Sequence, residues 1–253
     1  MRVRSRPGPG MVLLPDGPFI IKKLLSAANC RQRAGRGYIS VGLTLTPRAT
    51  GGGGRNLCPF ATRGCSASCF ADHDRMAWPQ NKRAAVARTR LLAENPDLFA
   101  KILIADLERE RELAGRKGLP LVCRLNVVSD VAWERELPAL FSTFPDIQFM
   151  DYTKNASRML DSPPNYHLTF SRSERNEDDC RRILAAGRNV TAVFRRAPFP
   201  ATFLGYPVID GDEDDLRFLD PSPCVVGLIA RGVGGRDDAT GFVIDHAELR
   251  EES

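Results

Sequence analysis

Three cysteines, Cys58, Cys65 and Cys69, fall within twelve residues of LCPFATRGCSASCFADH, just after the glycine-rich stretch TGGGG. Thiolates this close in sequence can converge on one centre, because Pro59 and Gly64 let the intervening chain turn back on itself. Two sites suit them. One is an iron–sulfur cluster, 4Fe–4S in type, with one iron left open for another ligand. The other is zinc, with His73 completing C-x6-C-x3-C-x3-H as fourth ligand. The bland alternative is three incidental thiols packed as small hydrophobes. Of the seven cysteines, Cys123 and Cys224 sit in β-like runs and Cys180 in a helical one, which suits structural roles. Cys224 could approach the cluster if its strand closes a barrel, and Cys30 has no informative context.

A second group of reactive side chains follows three strand-like runs. RLNVVSDVAWE brings Asn126, Asp130 and Glu134; DYTKN brings Asp151, Tyr152 and Lys154; TFSRSE brings Ser171, Ser173 and Glu174. In parallel α/β proteins, sites form at the carboxyl ends of strands, where loops present side chains without disturbing the core. Asp130, Lys154 and Glu174 are the candidate catalytic residues, and Asn126 and Ser173 the candidate cofactor-binding ones. Their spacings approximate one β-loop-α unit, which returns each to the same rim. The competing reading for each is structural: Asp130 as a helix cap, Lys154 as a solvated surface lysine, Ser173 and Glu174 in a turn or capping box. The acidic run Asp210–Asp215 lacks the ligand spacing and glycine of an EF-hand, and reads as an exposed loop before it reads as a cation site. ARGVGG, residues 230–235, could approach phosphate but lacks a full G-x-G-x-x-G.

The elements that must position these groups alternate. YISVGLTLTP, LVCRLN, IQFMDYT, YHLTFS, NVTAVF, YPVID and CVVGLIA read as strands. Residues 79–94 and 96–117 read as helices, with Asn95 and Pro96 at the start and Gly118 at the stop of the second. NEDDCRRILAAG is a further helix, with Asn176 before an acidic first turn and Gly187 as its stop. This alternation predicts an α/β fold with a largely parallel sheet, and the number of strands favours a complete or partial (β/α) barrel. Residues 1–36 are expected to be a basic, partly disordered arm and residues 37–253 a single barrel-like domain, with Met11 a second candidate start.

Charge is uneven along the 253 residues. Residues 1–55 hold ten basic side chains and one acidic, residues 206–253 four basic and twelve acidic. The arm could bind nucleic acid through phosphates, or neutralise the acidic tail. Uninterrupted apolar runs such as CVVGLIA fall far below the roughly 18 residues of a membrane span, so no membrane partner is expected. The odd cysteine count and the missing secretory pattern predict reduced thiols in a cytoplasm.

Taken in order, CPFATRGCSASCFA, RLNVVSDVAWE, DYTKN, NYHLTFSRSE, VIDGDEDDLRFLD and VVGLIARG resemble the phage gene product 88 family, from about Leu43 to Phe242. The resemblance implies host cytoplasm as the location. It also implies a cysteine segment similar to the cluster-binding loop of radical S-adenosylmethionine enzymes, and hence a radical-SAM-like barrel, S-adenosylmethionine as cosubstrate and an unknown substrate. Those enzymes carry C-x3-C-x2-C where this chain has C-x6-C-x3-C; an aromatic residue follows or lies near the last cysteine of their motif, and Phe70 follows Cys69 here. The alternative function is a zinc-stabilised nucleic-acid-binding protein, or a non-catalytic phage protein that binds a host factor.

Overall fold

A computed structural model describes residues 10–27, 37–50 and 54–245. The chain opens with a hairpin of β1 (Met11–Leu14) and β2 (Gly17–Ile20), then β3 (Leu25–Ala27) and β4 (Ile39–Leu43). The cysteine segment follows with a short helix α1 (Arg63–Ala67), then α2 (Pro79–Glu94), α3 (Pro96–Arg116) and β5 (Leu121–Arg124). Two short helices, α4 (Trp133–Glu136) and α5 (Ala139–Thr143), lead to β6 (Gln148–Thr153) and β7 (Tyr166–Ser171). Next come α6 (Glu177–Ala185), β8 (Val190–Phe194), β9 (Thr202–Phe203) and β10 (Tyr206–Asp210). The described chain finishes with β11 (Val225–Ile229), α7 (Gly232–Arg236) and β12 (Val243–Ile244).

The strands form one sheet in the order β3-β4-β5-β6-β7-β8-β11-β10-β9, with β12 added beside the end of β8. From β4 through β10 every neighbour is parallel; β3 and β9 close the two ends antiparallel. The expected complete or partial (β/α) barrel, and its radical-SAM-like form, is therefore corrected. Among the described residues the terminal strands β3 and β9 do not pair, so the sheet is open. Alternation of strand and helix signals is the same in an open sheet and a barrel, and it carries no information on strand order. Here the order reverses at β10 and β11. Only short 3-10 turns, at Ala156–Met159 and Arg217–Leu219, interrupt the β6–β7 and β10–β11 connections.

Alternation along the strands separates two faces. Cys123, Phe149, Leu168 and Phe170 enter the main apolar core with Leu91, Phe99, Leu103 and Leu107 of α2 and α3 and with Ile183 and Leu184 of α6. The helix starts agree with the sequence: Asn95 accepts the Leu98 amide at 3.0 Å, and Pro96 begins α3. On the opposite face Val122 and Met150 pack with Leu216, Tyr38 and Phe218, so the acidic segment after β10 crosses the sheet there.

Part of the expected arm is built into this architecture. Leu24 and Leu25 are fully buried, and their amides donate to the buried carboxylate of Asp106 on α3 at 2.6 and 2.9 Å. Residues 1–9 and 28–36, with Arg2, Arg4, Arg6, Arg31, Arg33, Arg36 and Cys30, lie outside the described residues, as does the phosphate-binding role expected of them. Among the described residues no helix is long and apolar enough to cross a membrane.

Candidate functional site at the carboxyl edge of the sheet

The seven parallel strands from β4 through β10 end on one edge, and the cysteine segment is fastened along it. At its start the Asp130 amide donates to the Leu57 carbonyl at 2.8 Å, and the Cys58 thiol points to the Val128 carbonyl at 3.7 Å. In its middle, Glu174 receives the Thr62 hydroxyl at 2.6 Å and the Gly64 amide at 2.9 Å. Burial opposes ionisation of Glu174, but these hydrogen bonds outweigh it and hold the carboxyl below its ordinary value. At its far end Ser68 donates to the Gly234 carbonyl. Arg48 reaches across the loop to the Ser66 carbonyl and to Asp72.

Three glycines make this docking close. A Cβ on Gly64 would stand 2.2 Å from the Thr240 hydroxyl and 2.3 Å from Phe242 Cβ; one on Gly234 would stand 2.2 Å from the Ala67 carbonyl oxygen. Gly232, at φ +67°, lies so near His73 that a Cβ would meet the imidazole at 2.0 Å. Gly232 and Gly234 of ARGVGG thus serve the contact with the cysteine segment.

Cys58, Cys65 and Cys69 are each partly buried, whereas Cys123, Cys180 and Cys224 are buried. Burial pushes the Cys58 thiol up to about 11, with the charges of Asp130, Cys69 and Cys65 adding to the shift. Burial raises Cys69 as well, and Cys65 contributes. The three thiols therefore lie within electrostatic reach of one another. Cys65 also packs against Ala230, Phe242 and Val243. Among the described residues no three Cys, His, Asp or Glu side chains are drawn together tightly enough for a single metal ion.

The polar strand-end residues are joined in series. Asp130 receives the Thr153 hydroxyl at 2.8 Å and the Lys154 amide at 2.9 Å, and pairs with Arg158 at 2.7 Å. Lys154 Nζ donates to the Ser171 hydroxyl at 2.7 Å and lies 5.4 Å from the centre of the Phe242 ring. Lys154 has no carboxylate partner among the described residues. Ser173 is buried; its hydroxyl accepts weakly from the Arg175 amide at 3.4 Å, while its own amide donates to Asn176 at 2.6 Å. Asn126 is committed internally. Its carbonyl accepts from Ser129, the Val131 amide and Trp133, and its amide group donates to Val131 and Asp151. Asp151 also takes the Tyr166 hydroxyl at 2.6 Å, and burial lifts its carboxyl to about 6.

Sequence reasoning missed the face below this edge. In register, Tyr152 stands beside Thr169 and Met150 beside His167, so Tyr152, His167 and Thr169 share the side away from the helices. The Tyr152 hydroxyl, His167 Nε2 and Thr169 hydroxyl are buried without hydrogen-bond partners, although buried polar groups are nearly always paired. Arg124 lies over the Tyr152 ring at 4.8 Å, and Arg217, 3% exposed, covers this layer from the acidic segment. Burial, helped by Arg188 and Arg217, pushes His167 down to about 4. The signal was present in YHLTFS, where His167, Thr169 and Ser171 alternate with apolar residues.

The family model described as Gene product 88 matches residues 22–246. The chain belongs to the gene product 88 family. The match takes in the cysteine segment, every polar strand end and the acidic crossing, and it begins inside the expected arm, just before the buried Leu24 and Leu25. No curated protein and no solved structure matches this member of the gene product 88 family.

Proposed function

We propose that Cys58, Cys65 and Cys69 hold an iron–sulfur cluster at the carboxyl edge of the sheet, and that this gene product 88 protein is a redox enzyme. The observation that carries the reading is the fastening of one short segment across the strand ends, with all three thiols partly buried and within one another's electrostatic reach. The donor set fits the group. In a cluster each thiolate binds a different iron. His73, the fourth ligand of the zinc reading, has its ring against Gly232.

When bound, a cluster of this kind supplies an electron and an open iron, the position at which S-adenosylmethionine would bind. The protein's own residues have distinct tasks. Glu174 and Asp130 are positioning residues: the first holds Thr62 and Gly64, the second orients Arg158 and the Lys154 backbone while its amide holds Leu57. Lys154 offers a cation without a counter-charge to an anionic part of the substrate, with the Ser171 hydroxyl beside it. Asn126 acts through Asp151 and fixes the loop that carries Asp130. Tyr152, His167 and Thr169 supply unpaired hydrogen-bonding groups below the edge.

The test is S-adenosylmethionine turnover by reduced protein prepared without oxygen. The expected result is formation of 5′-deoxyadenosine, abolished by Cys65→Ser and retained in part by Glu174→Gln. Cluster-loaded protein that neither binds nor cleaves S-adenosylmethionine would reduce the reading to an electron carrier or a structural cluster.

A further inference from the structure

A cavity of about 520 Å³ opens at the ends of β10 and β11, lined by Asp210, Asp212, Glu213, Ala230, Arg231 and Arg236 among others. Its position has a topological cause. The chain steps from β8 past one strand position to β10, then returns to β11 between them. Parallel crossovers are right-handed, so a connection that reverses direction must cross the opposite face. The segment after β10 does so: Leu216 and Phe218 lie on Val122 and Met150, away from the helices. The chain leaving β8 turns to the helix side, where Phe199 packs on Phe194. Loops that part to opposite faces leave a crevice at the strand ends, and open α/β sheets bind ligands there.

The charges lining the crevice narrow its occupant. Asp212 pairs with Arg231 at 2.7 Å and receives the Ile229 amide at 2.8 Å, so that pair is closed and fixes the floor. Arg236 and Glu213 are exposed and have no ion-pair partner among the described residues. Among the described residues Asp210 accepts only the Asp212 amide. One unpaired cation and two available carboxylates therefore face a space whose volume is in the usual range for small ligands. A simple anion would meet the carboxylates, and a simple cation the arginines. A metal ion lacks a gathered donor set. A phosphate cradle lacks free glycines, because Gly232 and Gly234 are held against His73 and Ala67.

We propose that this crevice binds a small zwitterion of the amino-acid type, its carboxylate on Arg236 and its ammonium on Glu213 and Asp210. The assignment is independent of the cluster and survives or fails without it. Saturation-transfer NMR on the full chain, with L-lysine, L-glutamate, L-serine and L-methionine as probes and acetate, ethylamine and AMP as comparators, tests it. The expected result is transfer to at least one amino acid, stronger than to acetate or ethylamine. Arg236→Glu and Glu213→Lys, both at exposed positions, should each weaken it about tenfold or more with an unchanged melting curve. Absence of transfer to every amino acid would overturn the proposal, and so would wild-type binding by both variants. AMP binding through the same two residues in place of the amino acids would overturn it too.

Discussion

The helix-covered side of the sheet and its carboxyl edge treat polar groups in opposite ways. On the helix side, Asn126, Asp151, Tyr166 and Arg158 form one buried network in which each group meets several partners. At the edge and on the face below it, the Tyr152 hydroxyl, His167 Nε2 and the Thr169 hydroxyl are buried without hydrogen-bond partners, and Lys154 lacks a counter-charge among the described residues. A saturated network fixes architecture because breaking any member leaves another unpaired in low dielectric. Unsaturated groups retain the capacity to bind. The contrast separates residues of similar chemistry, such as Asn126 and His167, into those whose groups are all paired and those that keep a group unpaired.

The largest effect should come from breaking the saturated side. Arg158 is 2% exposed and pairs with both Asp130 and Glu134. Arg158→Ala leaves two carboxylates without their cation and should cost about 3–5 kcal/mol in denaturant unfolding. A loss below about 1 kcal/mol would mean that solvent reaches these carboxylates and that the network is not saturated as described.

The pH dependence of stability should distinguish the two regions next. His167 titrates near 4 in the folded protein against an ordinary 6.5. The unfolded chain therefore binds a proton that the folded one refuses, and stability contributed by neutral His167 is lost as pH falls from 6.5 towards 4. At most about 3 kcal/mol is involved, and His167→Phe should flatten that slope. Asp151, raised to about 6 from 3.8, has the opposite sign: its contribution is present below 3.8 and lost as pH rises through 6. Asp151→Asn should therefore remove a slope of reverse direction, measured by urea titrations between pH 4 and 7.

The smallest effects test the contrast on the face away from the helices. Thr169 and Thr191 are both buried, but the Thr191 hydroxyl donates to the Val226 carbonyl at 3.0 Å while the Thr169 hydroxyl has no partner. Thr191→Val should cost about 1 kcal/mol or somewhat more, and Thr169→Val should be neutral or stabilising. Equal losses in thermal unfolding would mean that Thr169 is satisfied by ordered water.

Local order in this chain was legible where a single residue type decides it. Asn95 with Pro96 marks the start of α3, and alternating apolar residues mark β6 and β7. The return of successive strand ends to one edge also follows from β-loop-α spacing. Strand order does not, because the reversal at β10 and β11 depends on contacts of Leu216 with Val122 and Met150, which lie 94 and 66 residues earlier in the chain. The burial of Leu24 and Leu25 was hidden for a similar reason: it is set by Asp106 on α3, and the surrounding basic residues suggested a solvated arm. Glu174 was singled out for its position after β7, but its contact with Thr62 and Gly64 joins segments that no local pattern connects.

The central claim concerns two sets of cysteines, three at the edge and three in the interior. Iron and acid-labile sulfide should be measured in protein purified without oxygen, for the parent chain and for single variants of each set. Both should be present in the parent, fall sharply in Cys58→Ser, Cys65→Ser and Cys69→Ser, and stay unchanged in Cys123→Ala, Cys180→Ala and Cys224→Ala. Stoichiometric zinc with no reconstitutable cluster, or a cluster that survives loss of the edge cysteines, would contradict the account.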